Sequence, residues 1–156
     1  MKRAIGFRVE PGLINWALVE GTSEAPILAA PPSKLTSPAT YSESQALTFY
    51  QERVLLLLTE HSPHFVAMRY AETFGRQGMR ESDYRRCRIE GVVLEAANSR
   101  GIKVIAGALA SISKNLGTRT AKHYLEDSDL RGLDWSKYPA KNMREAILVA
   151  ASALGD

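Results

Sequence analysis

The hydrophobic pattern of this chain changes period once, and that change restricts the folds open to it. Up to Ala30 the apolar residues lie in short β-prone runs, whereas from Ser42 onward they recur mainly at helical spacing. Arg3 to Val9 is β-prone, and Pro11-Gly12 after it is a turn signal. Leu13 to Glu20 reads as a second strand, with Ile14, Trp16 and Leu18 alternating against Asn15, Ala17 and Val19. Gly21 closes it and Ile27 to Ala30 makes a third strand, followed by a proline-rich stretch, Pro31 to Pro38, that reads as a loop. Three short strands joined by tight turns predict an antiparallel meander.

Ser42 with Gln45 three residues on is a capping-box pattern, and Leu47, Tyr50, Val54, Leu57 and Leu58 then share one helical face to about His61. Pro63 stops that helix, Phe65 to Tyr70 is the next strand, and Gly75 and Gly78 mark a loop. Glu81 to Arg100 predicts a long helix burying Ile89, Val92, Val93, Ala96 and Ala97, with Gly101 as its stop. Ile102 to Ile105 is a fifth strand, and short helices are expected near Leu109–Leu116 and Thr118–Glu126. Asp127 to Tyr138 reads as irregular, with Trp135 as its pin, and Pro139 at a first-turn position opens a last helix ending at Gly155. The resulting class is α/β: a mixed five-stranded sheet, built from a three-strand antiparallel meander plus βαβ crossovers, with helices on both faces. The element order resembles the ribonuclease H-like fold.

At 156 residues the chain is expected to form a single domain over 1–156, large enough to bury its own core. The lone cysteine, Cys87, excludes a disulfide framework and a multi-cysteine zinc site. No apolar run approaches membrane-spanning length, and the N-terminus lacks the hydrophobic stretch of a signal peptide, so a cytoplasmic location and no membrane partner are expected. The formal net charge of +3 is unevenly placed. Residues 1–78 carry seven basic and seven acidic side chains; residues 79–156 carry thirteen and ten. Such a bias is either a solvated surface or an electrostatic footprint for phosphate.

Four stretches carry a resemblance to a known family. Ile5-Gly6-Phe7-Arg8 followed by Trp16-Ala17-Leu18-Val19-Glu20 resembles the first hairpin of RuvC-like Holliday-junction resolvases, which reads Ile-Gly-Ile-Asp-Pro-Gly and then an aromatic–small–apolar strand. Pro63-His64-Phe65-Val66-Ala67-Met68-Arg69, then Phe74, resembles their Pro-Asp-x-x-Ala-Ile-Glu strand. Arg88-Ile89-Glu90-Gly91-Val92-Val93 lies at the position of the family's helix entry, and Asn142 to Ala150 looks like its Asp-x-x-Asp-Ala-Leu-Ala-x-Ala helix. The resemblance implies phosphodiester hydrolysis by two magnesium ions held on about four carboxylates from two strands and the last helix. Gap-free alignment instead places Arg8 and Arg69 at the strand positions, with Asn142 and Glu145 on the helix. That set carries a charge of +1 rather than about −4 and is expected to hold no metal, so the nuclease centre reads as degenerate and no cofactor is implied.

A shifted triad is the alternative: Glu10, Glu72 and Glu145 would be catalytic, with magnesium, in an active endodeoxyribonuclease. Strand geometry opposes it, because Glu10 falls at a strand end and alternation points Glu72 away from the face of Arg69. Arginine is a bidentate phosphate donor, so Arg8 and Arg69 are candidates to grip a nucleic-acid backbone, or else to pair internally with Glu145 or Glu10. Arg76, Arg80 and Arg85, with Arg86 and Arg88, flank the same cleft; Lys114, Arg119 and Lys122 lie among Ser111, Ser113, Thr118 and Thr120 like a phosphate-gripping segment. The ordinary reading of these is a solvated face with Ser/Thr caps. His61 and His64 bracket a turn and His123 has no evident acidic partner, while Cys87 reads as half-buried filler or as a thiol tuned by flanking arginines. The leading expectation is a nucleic-acid-binding protein for branched or structured DNA, homodimeric by resemblance to the resolvases. The others are the active nuclease and a non-catalytic protein-interaction module on the same fold.

Overall fold

The structure is a computed structural model that describes residues 1–71 and 78–155. Glu72, Phe74, Gly75 and Arg76 lie outside the described residues. β1 (Lys2–Glu10) and β2 (Leu13–Gly21) form a hairpin in register from Lys2 opposite Gly21 to Glu10 opposite Leu13. β3 (Pro26–Leu28) and β4 (Ser33–Thr36) both pair antiparallel with β2, one at each end. Then follow α1 (Glu43–His61), β5 (Phe65–Arg69), α2 (Glu81–Ser99), β6 (Lys103–Gly107) and α3 (Leu109–Asn115). A 3-10 helix (Ala121–Glu126), the two-residue strands β7 (Asp129–Leu130) and β8 (Leu133–Asp134), and α4 (Lys141–Ala153) complete the chain. The sheet order is β3-β2-β1-β5-β6, with β5 parallel to β1 and β6 parallel to β5.

Strand alternation divides the core between the two faces. Ile5, Phe7, Val9, Val66 and Met68 pack under α1 and α2, with Trp16 and Leu18 from β2. Ala4, Ala17, Val19, Phe65 and Ala67 pack under α4 and α3. The mixed sheet with helices on both faces is therefore as the sequence implies. Among the described residues no helix is long and apolar enough to cross a membrane.

The local details depart from expectation in four places. The main sheet has six strands, because Ser33–Thr36 in the proline-rich stretch pairs with Leu13–Trp16. The prolines bracket this segment without entering it, and an edge strand needs hydrogen bonds on one side only. The helix expected over Thr118–Glu126 starts at Ala121 and is 3-10; the Ala121 N–H donates to Ser113 Oγ at 2.7 Å. The irregular stretch contains the β7–β8 hairpin, whose central Arg131 and Gly132 both have left-handed φ (51° and 86°), the geometry of a primed two-residue turn. Trp135 is fully buried there and donates to Asp127 O at 2.9 Å. Pro139 precedes the Ala140 N-cap and so lies outside the first turn of α4.

The caps of α1 form as the sequence requires. Ser42 and Gln45 satisfy one another reciprocally, and Ser62 ends the helix in a left-handed conformation, φ 44°, just before Pro63. Gly101 has φ +66° immediately after the α2 C-cap Arg100.

Candidate functional site

The parallel pairing of β1 and β5 sets Arg8 directly beside Arg69, with Gly107 of β6 next in the row. All three lie at the C-terminal ends of parallel strands, where connecting loops and helix starts meet and where α/β sheets bind ligands. Alternation turns Arg8 to the same face as Ala4 and Gly6, the face covered by α4. α4 supplies Glu145, 1% exposed. Arg8 Nε donates to Glu145 Oε2 and its Nη1 donates to Val9 O at 2.7 Å. Arg69 Nε is 3.9 Å from the same Glu145 oxygen. One buried carboxylate is thus shared by two guanidiniums from adjacent strands.

α2 brings a second layer of charge to this end. Its buried Arg86 contacts Asp83 Oδ1 at 3.2 Å and lies 3.8 Å from Glu90 Oε1. Glu90 is 7% exposed, and its Oε2 is buried with no hydrogen-bond partner among the described residues. Burial holds the Glu90 carboxyl above the usual carboxylate range, and the charges of Arg86, Arg8 and Arg69 pull it partly back. The Tyr70 hydroxyl is also pushed upward, by burial first and by the Glu90 charge second. Arg8, Arg69 and Arg86 thus share this end with Glu145, Glu90 and Asp83, three cations against three carboxylates.

Glu90 is a site residue that none of the family-like motifs marks as one. Its signal was present in Asp83-x-x-Arg86-x-x-x-Glu90, whose spacings place three charges along one helix face. The raised carboxyl gives a testable consequence. The folded protein keeps the Glu90 proton to higher pH than the unfolded chain, so this group's contribution to stability declines as pH rises through the folded value. Glu90→Gln is expected to melt above the parent protein near neutral pH. The gap should close as pH falls below the ordinary carboxylate range, read by thermal unfolding across pH.

Glu10 ends β1 and is held differently. Its Oε2 accepts from Asn15 Nδ2 at 2.8 Å, and the same amide donates to Arg8 O at 3.1 Å. Glu72 and Arg76 lie outside the described residues, and among those described no group of three or more His, Cys, Asp or Glu is placed to hold a metal ion. The described residues do not fit a pair of divalent cations, since the Glu145 oxygen that would ligate one already meets guanidinium and the surrounding charge repels another cation.

The remaining predicted cations lie on the surface. Arg80 is the exposed N-cap of α2, Arg85 is exposed one turn further on, and Lys114, Arg119 and Lys122 are exposed along α3, its following turn and the 3-10 helix. α2 begins and α3 follows at the end of the sheet where Arg8 and Arg69 lie. Arg88 is engaged by Glu43 at 2.7 Å and Glu81 at 3.3 Å, a half-exposed arrangement of small energetic weight. Part of the basic excess of the second half is structural. Arg131 reaches the Ser23 and Leu116 carbonyls and Glu24, and Arg144 reaches the Tyr138, Leu125 and Asp127 carbonyls over the Trp135 ring. His61 stacks near Trp16 and His64 Nδ1 accepts from the Arg3 N–H, so both serve the fold. Cys87 is exposed rather than half-buried.

No protein-family model and no curated protein matches this chain. Solved structures do. Thermus thermophilus RuvC in complex with a Holliday junction substrate superposes with a TM-score of 0.75 at 21% identity, covering 97% of this chain and 92% of that one. A second structure of Thermus thermophilus RuvC gives 0.75 at 19% identity, over 96% of this chain and 92% of that one. The yeast mitochondrial Holliday junction resolvase gives 0.67 at 12% identity, over 99% of this chain and 78% of that one. The likeness spans nearly the whole chain and includes the mixed sheet that carries Arg8 and Arg69. The chain has the RuvC-like version of the ribonuclease H-like fold.

Proposed function

We propose that this protein binds branched or structured DNA through the C-terminal end of its sheet and that its metal-nuclease centre has been lost. The observation that carries this reading is the side-by-side placement of Arg8 and Arg69 on one buried glutamate. In a fold shared with a resolvase solved on a Holliday junction, this places positive charge at the strand ends. Arg8, Arg69 and Glu145 form the fixed base of the site, and exposed Arg80, Arg85, Lys114, Arg119 and Lys122 provide the phosphate-facing cations. Arg76 is assigned to the same group from its place in the sequence. Each exposed guanidinium or ammonium can neutralise a backbone phosphate, giving affinity with a strong salt dependence.

The test is binding to a labelled four-way junction, a duplex and a single strand over a series of salt concentrations, with cleavage followed in magnesium and manganese. The junction should bind tightest, log affinity should fall linearly with log salt, and no strand should be cut. Substituting Arg80, Arg85 and Lys114 together by alanine should flatten the salt slope by about two to three. Metal-dependent cleavage that disappears in Glu145→Gln would replace this reading with an active nuclease using Glu10, Glu72 and Glu145. Absence of binding to all three substrates at low salt would favour a protein-interaction module. The proposal includes a homodimer, expected at twice 17.2 kDa by light scattering.

A further inference from the structure

A cavity of about 420 Å³ opens beside the charged cluster. It lies between the β1–β2 turn, the segment joining β4 to α1, and the packed faces of α1 and α2. Pro11, Pro38, Leu47 and Ile89 give it apolar walls, while Arg85 and Tyr41 are exposed lining residues. Its polar wall is built, because the buried Tyr50 hydroxyl donates to Gly12 O at 2.8 Å and accepts from the Ser37 N–H at 3.3 Å. The turn and loop on either side are thereby fixed in place.

Two features tie this cavity to the strand-end site. Pro11-Gly12 directly follows Glu10 at the end of β1. On α2, Arg85 lines the cavity while the neighbouring Arg86 is turned into the buried charge cluster. The cavity therefore lies on the α1–α2 side of the sheet, at the same end as Arg8 and Arg69. The volume suits a small planar organic group and excludes duplex DNA. Tyr41, 44% exposed and with its ring perpendicular to that of Phe49, is an aromatic side chain on the lining, and Arg85 is a phosphate donor beside it.

We infer that the cavity receives one unstacked base of bound DNA, with Tyr41 stacking on it and Arg85 holding an adjacent phosphate. The inference rests on the DNA-binding reading and deepens it, since it assigns unpaired bases, such as those at a branch point, as the feature recognised. Extrusion is least demanding where a base is already unpaired.

The experiment compares a duplex containing one bulged 2-aminopurine with a fully paired duplex. Binding of the bulged duplex should change the 2-aminopurine emission. Ala46→Met, which places a longer side chain on the cavity wall, and Tyr41→Ala, at an exposed position, should each abolish that change. Both should weaken binding of the bulged duplex about fivefold or more. Binding of the paired duplex should stay within about twofold, and circular dichroism should show an unaltered fold. An emission change that persists in both folded variants would overturn the inference, as would equal affinity of the parent protein for both duplexes. Free deoxyadenosine monophosphate should not bind at millimolar concentration; tight binding that competes with the bulge would instead assign the cavity to a free nucleotide. Failure to bind even the paired duplex at low salt is the separate failure of the DNA-binding reading.

Discussion

Glu145→Ala is expected to destabilise the protein by about 3–5 kcal/mol, the loss that follows when one partner of a buried ion pair is removed. For a chain of this size that is a fall in melting temperature of roughly 6–20 °C. The reason lies in where the charges sit. Side-chain exposure is 14% for Arg8, 6% for Arg69 and 2% for Glu145, so the alanine variant would leave two poorly hydrated guanidiniums without the carboxylate between them. Glu145→Gln should lose less, because its amide oxygen still accepts a hydrogen bond. The apolar triple replacement Arg8→Met, Arg69→Met, Glu145→Leu should recover most of the loss, since a matched hydrophobic set escapes the desolvation penalty altogether. Thermal and urea unfolding of the three variants would check this. A loss below about 1 kcal/mol for Glu145→Ala, the size expected of an exposed pair, would show that the arginines are hydrated and the carboxylate is not a buried hub.

The same variants separate stability from binding. If the cluster anchors the exposed cations, the apolar triple variant should fold and yet bind DNA more weakly, because the field at the strand ends has lost its fixed positive base. Glu90→Gln acts in the opposite sense, removing a negative charge from that field. Opposite shifts in affinity, with folding retained in both, would identify the cluster as part of the interface as well as of the core.

What could be read from sequence was what short-range chemistry determines. The Ser42–Gln45 capping box and the Gly101 stop are local, and both form. Arg8 and Arg69 were placed at equivalent strand positions by motif alone, and the parallel register brings them side by side. Elements that depend on a distant partner were less legible. Ser33–Thr36 has little strand character of its own and becomes a strand through the free edge of β2. The β7–β8 hairpin has only two residues per strand, too few to show alternation. Glu90 has only its charge and its helical spacing to mark it in sequence. It became a site residue only because α2 packs with that face toward the strand ends, a relation set by Ile89, Val93, Ala96 and Ala97 in the core. The structural roles of Arg131 and Arg144 are hidden for a complementary reason: most of their partners are backbone carbonyls, which leave no mark in a side-chain pattern.

Gly6→Val should be as damaging as the loss of Glu145, and by a different route. A Cβ at position 6 would lie 2.1 Å from the Ala146 carbonyl oxygen and 2.9 Å from both Ala150 N and Cβ. Two of these three atoms are backbone, so no rotamer change relieves the clash, and α4 must move off β1. Ala4, Ala146, Ala150 and Ala153 are all fully buried in the core beneath α4, so the interface is built on small residues and close backbone approach. Overpacking of this kind costs about 3 kcal/mol or more when backbone has to shift. Because Ala146 adjoins Glu145, the displacement also pulls the carboxylate away from Arg8. Gly6→Ala should show a smaller version of both effects. Urea unfolding would measure the stability loss, and the apolar triple background would test the coupling. With Arg8, Arg69 and Glu145 already replaced, Gly6→Ala should cost less than in the parent protein. An equal cost in both backgrounds would show that α4 moves without disturbing the charge cluster.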